Sequence, residues 1–285
     1  MNNKLLKTII FWVLAVIFTV SAAIYQKTTG PTYPKKGRVT IGNEEVKFKL
    51  DRTNEIIGDD PDSVEFRITA KNSEIAGEYT FRRYKSYDNW ITLQMQREND
   101  ELIVRMPRLK ELAGKLEYTV KLKTASEEVA LTKAPIKMRF KGHVPWYILI
   151  PHILCMFLGL LWTTRAAIEA IFKGDKIINL GYWALGFLTM GGLILGPIVQ
   201  KYAFDAYWTG WPFGHDLTDN KTIVMVLIWV AALFFIRKQK NIRMWAIIAM
   251  VIVWAVYLVP HSALGSEFDY TKVEQAPNTS PGGVQ

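Results

Sequence analysis

The chain has 285 residues, one Cys and four His, with 35 Lys and Arg against 26 Asp and Glu. A single Cys excludes a disulfide framework, a Cys-based zinc finger, an iron–sulfur cluster held by this chain alone and a c-type haem, which needs C-x-x-C-H. Half of the residues are hydrophobic and strongly clustered, which excludes a disordered chain and describes a membrane protein carrying a soluble domain.

The first apolar stretch, residues 8–25, follows Lys4 and Lys7. A basic start, an apolar run and Val20-Ser21-Ala22 also fit a secretion signal that is removed. The apolar run is longer than a signal core, so residues 1–28 are read as a retained transmembrane anchor.

Residues 29–144 change character. Apolar and charged residues alternate in Val46–Leu50, Val64–Ile68, Tyr79–Arg82, Leu102–Met106, Leu116–Leu122 and Ile136–Phe140. Period-two alternation buries one face of a strand and wets the other. Gly42-Asn43, Ala76-Gly77, Asn99-Asp100 and Ala113-Gly114 mark turns between them. Seven or eight short strands predict an extracytoplasmic all-β sandwich of immunoglobulin-like type, without its disulfide. The run Arg82-Arg83-Tyr84-Lys85 near Trp90 reads as a solvated strand edge with one core Trp, or as a surface for an anionic partner or glycan. Nothing in the chain has the basic and aromatic interleaving of a nucleic-acid surface.

Residues 145–262 hold four more apolar stretches, at about 146–164, 179–199, 222–236 and 244–259, for about five transmembrane helices in all. The short segments carrying Lys4 and Lys7, then Arg165, Lys173 and Lys176, then Arg237, Lys238, Lys240 and Arg243, fall on one side if all five cross. By the positive-inside rule that side is the cytoplasm. The expected location is the cell inner membrane, multi-pass, with the N-terminus cytoplasmic and the β-domain and C-terminus extracytoplasmic.

The four His then gather at the outer face: His143, His152, His215 and His261. His152 and His261 share an apolar-apolar-Pro-His context, Leu149-Ile150-Pro151-His152 and Leu258-Val259-Pro260-His261. Imidazoles at membrane depth are functional candidates. Two facing His can hold a haem b by both axial positions, with Gly192 and Gly196 leaving a groove for the ring. Alternatively, the Gly192-x-x-x-Gly196 spacing lets helices approach with no cofactor. His152, His261, His215 and Asp216 form a candidate set for zinc or copper. The aromatic loop 200–221 reads as an interfacial belt, or as a roof of Trp208 and Trp211 over His215 and Asp216. Asp219 and Asn220 read as helix N-caps, and Lys221 as a partner for Asp216 or Asp219. Glu267 and Asp269 are placed near the same face. Residues 263–285 read as a largely disordered extracytoplasmic tail.

No P-loop, Rossmann fingerprint, H-E-x-x-H or G-x-S-x-G is present. Three functions fit. The first is electron transfer between the membrane and an extracytoplasmic or membrane protein partner through haem or metal. The second is a cofactor-free anchored scaffold whose β-domain binds an envelope partner. The third is a zinc-dependent hydrolase of lipid headgroups.

Overall fold

A computed structural model of the chain describes residues 3–57, 63–238, 240–260 and 267–274. The chain divides into a helical unit, Met1–Tyr33 with His143–Ser266, and a β-domain, Pro34–Gly142 with Glu267–Gln285.

The β-domain strands, among the described residues, are β1 (Lys35–Ile41), β2 (Glu44–Leu50), β3 (Thr53–Ile56), β4 (Ser63–Thr69), β5 (Ala76–Arg83), β6 (Ile91–Gln94), β7 (Gln96–Glu98), β8 (Glu101–Pro107), β9 (Lys115–Lys123), β10 (Glu128–Ala130) and β11 (Ile136–Gly142). They form a β1-β2 hairpin, a six-stranded sheet in the order β3-β11-β9-β5-β6 with β10 on β9, and a three-stranded sheet in the order β4-β8-β7. Among the described residues, the β3–β11 pair is parallel and the other pairs are antiparallel. Each of the six alternating runs lies inside a strand, and its apolar residues, Ile103 excepted, enter one shared core that includes Phe48, Phe66, Phe81, Val104, Tyr118 and Phe140. Alternation is this legible because the side-chain period of a strand is two.

Trp90 departs from the expected core position: it is exposed, with the Arg82 guanidinium 4.5 Å from its ring centroid. The basic run is committed internally. Arg82 pairs with Glu117 at 2.6 Å, Arg83 with Asp88 at 2.7 Å, and Lys85 with Glu267.

Residues 267–274 belong to this domain and are not a loose tail. Phe268 and Tyr270 pack on the β-core, and Tyr270 opens a short helix, α7 (Tyr270–Glu274). Its hydroxyl donates to Glu111 at 3.1 Å, and Arg83 lies 4.6 Å from its ring centroid. Glu267 bridges Lys85 and Lys115, the latter at 2.5 Å. Glu267 and Asp269 are therefore used here, Asp269 accepting from Thr271 at 2.6 Å. Burial alone would raise the Glu267 pKa, but hydrogen bonds from Lys115 and Lys85 outweigh it and hold the carboxyl below its ordinary value. The same bond holds Lys85 above the usual lysine value. A depressed acid contributes stability above its unfolded pKa and loses it as pH falls through the folded one. A raised lysine contributes below its unfolded pKa and loses it as pH rises through the folded one. Amide exchange at residues 267–274, taken relative to the intrinsic rate at each pH, is expected to be slow at neutral pH and to accelerate below about pH 4. Glu267→Gln should speed it already at neutral pH and flatten the acid dependence.

The helical unit contains α1 (Asn3–Thr29), α2 (Trp146–Ile171), α3 (Ile177–Leu188), α4 (Gly196–Phe204), α5 (Leu217–Arg237) and α6 (Ile242–Leu258). A seven-residue π-helical stretch, Thr189–Leu195, joins α3 to α4, so residues 177–204 run as one rod. Among the described residues, four helices are long and apolar enough to cross a membrane: α1, α2, this rod and α5. The fifth, α6, has 17 residues, about 26 Å of helix.

Arg165, counted above with the loop cations, instead lies inside α2 with its side chain 2% exposed. It pairs with Glu169 one turn on, at 2.5 Å, and its guanidinium lies 5.1 and 5.6 Å from the ring centroids of Phe11 and Trp12 on α1. Further contacts seat α1 in the bundle: Phe11 on Phe172, Trp12 on Trp162, Phe18 on Trp254, and the Gln26 amide on the Tyr257 carbonyl.

Next to the ion pair, Thr163 and Thr164 tie three helices together. Each hydroxyl donates to the carbonyl four residues back, Gly159 at 2.8 Å and Leu160 at 2.9 Å. Each also accepts an indole N–H at 2.9 Å, from Trp229 on α5 and Trp254 on α6 respectively. With no water in a hydrocarbon interior, these bonds have no external substitute. Thr163→Val and Thr164→Val keep the shape and orphan one indole each. Each should cost about 1 kcal/mol of bundle stability, read by thermal melting in detergent.

Candidate functional site

The α2 N-terminus, the α4 C-terminus, the α5 N-terminus and the α6 C-terminus are where the sequence placed the imidazoles. Helix α2 starts at Trp146, so Pro151 sits within it and withholds one backbone N–H. His152 follows, half-buried, and its Nδ1 lies 2.9 Å from the carbonyl oxygen of Gly191. A carbonyl only accepts, so Nδ1 carries the hydrogen. In the neutral ring, that leaves the Nε2 lone pair available. Among the described residues, Nε2 has no hydrogen-bond partner.

The π-helical stretch brings that carbonyl to the imidazole. Pro197, in the first turn of α4, has no N–H, and its ring would crowd the carbonyl of Leu193 in a regular helix. The wider turn relieves this, and Gly196 N–H reaches back five residues to the same Gly191 oxygen. Gly191 itself must be small. A Cβ there would stand 2.9 Å from both Cys155 Cβ and Met156 N on α2. Gly196 borders the ring: its Cβ would stand 3.8 Å from His152 Cε1. Gly192 differs from the open groove expected, since a Cβ there would meet Thr222 Cγ2 at 2.4 Å. That position is taken by the approach of α5.

The loop 205–216 is folded tightly onto the start of α5. Asp216, not Asp219 or Asn220, is the N-cap, its carboxylate accepting from Thr218 N at 2.8 Å. The helix starts five residues before the apolar run because its first turn is polar, which hydropathy does not register. Asp219 lies in that first turn and reaches back, accepting from Thr209 N at 2.6 Å and Gly210 N at 2.8 Å. Asn220 accepts from Trp211 N at 2.7 Å, and Gln200 on α4 donates to Thr209 Oγ1 at 2.6 Å. Lys221 is buried, and its ammonium donates to the carbonyls of Val259 and Pro260 beyond α6.

The predicted set is thus divided. His152 and Gly196 come together. Asp216 is buried as a cap, and His215 beside it is exposed. Of the expected roof, Trp211 is 68% exposed, and the Trp208 indole N–H donates to the Trp211 carbonyl at 3.0 Å, so the two residues are tied to each other within the loop. His143 is exposed ahead of α2. His261 lies outside the described residues. Among the described residues, no three His, Cys, Asp or Glu stand where they could share a metal ion. The Gly191 carbonyl and the Asp219 hub were missed in the sequence. The signal for the first was Gly196-Pro197 inside an apolar run, and for the second a pair of acids opening a membrane helix.

Asp219→Ala removes the acceptor of two backbone N–H groups and should cost about 2 kcal/mol of local stability. Amide exchange across residues 205–216 is expected to quicken about thirtyfold, with the β-domain unchanged.

Comparison with known protein families, with curated proteins and with solved structures returns no match.

Proposed function

We propose that the helical unit is an inner-membrane module of five crossings, α6 included, that holds a haem b or a metal ion through His152 Nε2 and passes electrons to a partner outside the cytoplasm. The observation that carries it is the bond from His152 Nδ1 to the Gly191 carbonyl. Histidine ligands are oriented by such second bonds, which fix the tautomer and raise the basicity of the coordinating nitrogen. The Gly196 backbone borders the ring, a Cβ there standing 3.8 Å from His152 Cε1. His261, one residue beyond the Lys221-bound carbonyls in sequence, is the second residue that would hold the group on this reading. Zinc or copper would need further ligands, His215 among them. An iron held there would supply one-electron chemistry. The chain's own part is to hold the imidazole and set its tautomer through the Gly191 carbonyl.

The proposed orientation rests on Lys4 and Lys7, on Lys173 and Lys176, and on Arg237, Lys238, Lys240 and Arg243. It puts the β-domain in the extracytoplasmic space. An immunoglobulin-like topology is proposed from strand order. Taking β4, β5, β7, β8, β9 and β11 as strands B, C, D, E, F and G, the sheets read B-E-D and G-F-C.

A second reading has a specific observation in its favour. Strand β6 is an edge of the six-stranded sheet, and on it Ile91 and Leu93 are 50% and 43% exposed beside Trp90. Such an edge suits a protein partner. On this reading the chain is an anchored scaffold, and His152 is only an interhelical bond. The hydrolase reading has no such support.

The optical spectrum and metal content of detergent-purified protein decide between them. A Soret band, or bound metal at one equivalent, is expected. His152→Gln retains an N–H donor for Gly191 but offers iron no imidazole. It should keep the melting temperature and lose the band or the metal. A colourless, metal-free preparation favours the scaffold.

A further inference from the structure

The β1–β2 hairpin shows a charge arrangement that its own fold does not require. Its inward face carries Ile41, Val46, Phe48 and Leu50 into the β-core. Its outward face is set by the register: Lys36 lies opposite Lys49, Arg38 opposite Lys47, and Thr40 opposite Glu45. Directly opposed side chains share a face and lie about 5 Å apart at Cβ. Two successive outward rungs are therefore cation against cation, and all four side chains are exposed. Like charges directly opposite destabilise a strand pair. Glu45 pairs with Arg38 at 3.4 Å and Asp51 with Lys49 at 3.3 Å, so two acids stand beside four cations and the face keeps a positive formal charge. Elsewhere in the domain the cations of the 82–85 run are matched by Glu117, Asp88 and Glu267.

The cationic rungs lie at the open end of the hairpin, where the chain arrives from α1. Helix α1 ends at Thr29 and β1 begins at Lys35, so residues 30–34 connect them. Five residues reach at most about 18 Å. A turn closed by Tyr33 N on the Gly30 carbonyl, at 3.2 Å, shortens that reach. If α1 crosses the bilayer, this tether holds Lys36 within range of the headgroups from which the helix emerges. The opposite end of the hairpin, with Thr40 and Glu45, lacks the excess of positive charge.

We propose that the outward face of this hairpin, Lys36, Arg38, Lys47 and Lys49, docks on anionic phospholipid headgroups of the leaflet from which α1 emerges. Each cation near such a surface gains by attraction to it, and the self-repulsion of the ladder is relieved. The β-domain is then held at the bilayer by its charge as well as by its tether. This is independent of any cofactor at His152.

The test is amine labelling of the full chain in nanodiscs, read lysine by lysine by mass spectrometry. One set of discs is neutral phosphatidylcholine; the other contains about a third phosphatidylglycerol. Lys133, exposed on the β-domain, is the internal reference. Relative to Lys133, Lys47 and Lys49 should label about fivefold more slowly in the anionic discs. The difference should vanish in about 0.5 M salt, where screening shortens to a few ångströms. Lys47→Glu should return Lys49 toward its rate in neutral discs without lowering the melting temperature. Equal rates in the two lipids, or a slowing that salt does not reverse, overturns the proposal. So does a slowing that appears only when a soluble acidic polypeptide is added, which would assign the face to a protein.

Discussion

A polar group on a membrane-spanning helix has no water to fall back on, so each one must find its partner inside the protein. The helical unit is organised around that constraint. Near one end of α2, Arg165 is closed by Glu169 and by the rings of Phe11 and Trp12. Beside them, Thr163 and Thr164 each serve two bonds, one within α2 and one to an indole of α5 or α6. At the other end, His152 reaches the Gly191 carbonyl on the neighbouring rod, and Asp219 gathers the backbone of the 205–216 loop. Helix α2 supplies a member of three of these four groups and so acts as the spine of the bundle. Apolar packing fills the space between, through Trp229, Ala246, Ala249 and Val253.

The same constraint explains what could be read from the sequence. Strands were legible because one side faces water, and the alternation of Val64-Glu65-Phe66-Arg67-Ile68 records it directly. Helices were legible as apolar runs, yet their ends were not. The polar first turn of α5, from Leu217, looks like loop, and the last turns of α2 contain a buried ion pair that looks like a cytoplasmic flank. The partners of Thr163, Thr164 and His152 lie 66, 90 and 39 residues away, and no local pattern names them. Residues 267–274 were hidden for a similar reason: Phe268 and Tyr270 are too few to form a hydropathy signal, but they are sufficient to dock on an existing core.

Of the candidate site, the choice of His152 and the glycine-lined rod beside it came from the chain alone. The reason for the glycines is different at each position. Gly191 lets the backbone of the rod touch α2, Gly192 admits Thr222, and Gly196 borders the imidazole. Gly191 joins packing to chemistry, because the close approach it permits is what puts its carbonyl within reach of Nδ1. A proline five residues after Gly192, at position 197, then sets the wide turn that frees that geometry. His215 and Asp216, adjacent in sequence to the same region, are separated from this chemistry by exposure in one case and by capping in the other.

The protonation state of one imidazole is the link between this architecture and any ligand at the site. It is measured directly by nitrogen NMR of the chain with ring-labelled histidine in lipid nanodiscs, the His152 signals being assigned by their loss in His152→Gln. The expected spectrum has Nδ1 protonated and hydrogen-bonded, with Nε2 carrying a lone pair or shifted by a bound metal. A neutral ring protonated at Nε2, with Nδ1 bare, would contradict the bond to Gly191 and remove the basis for coordination at His152.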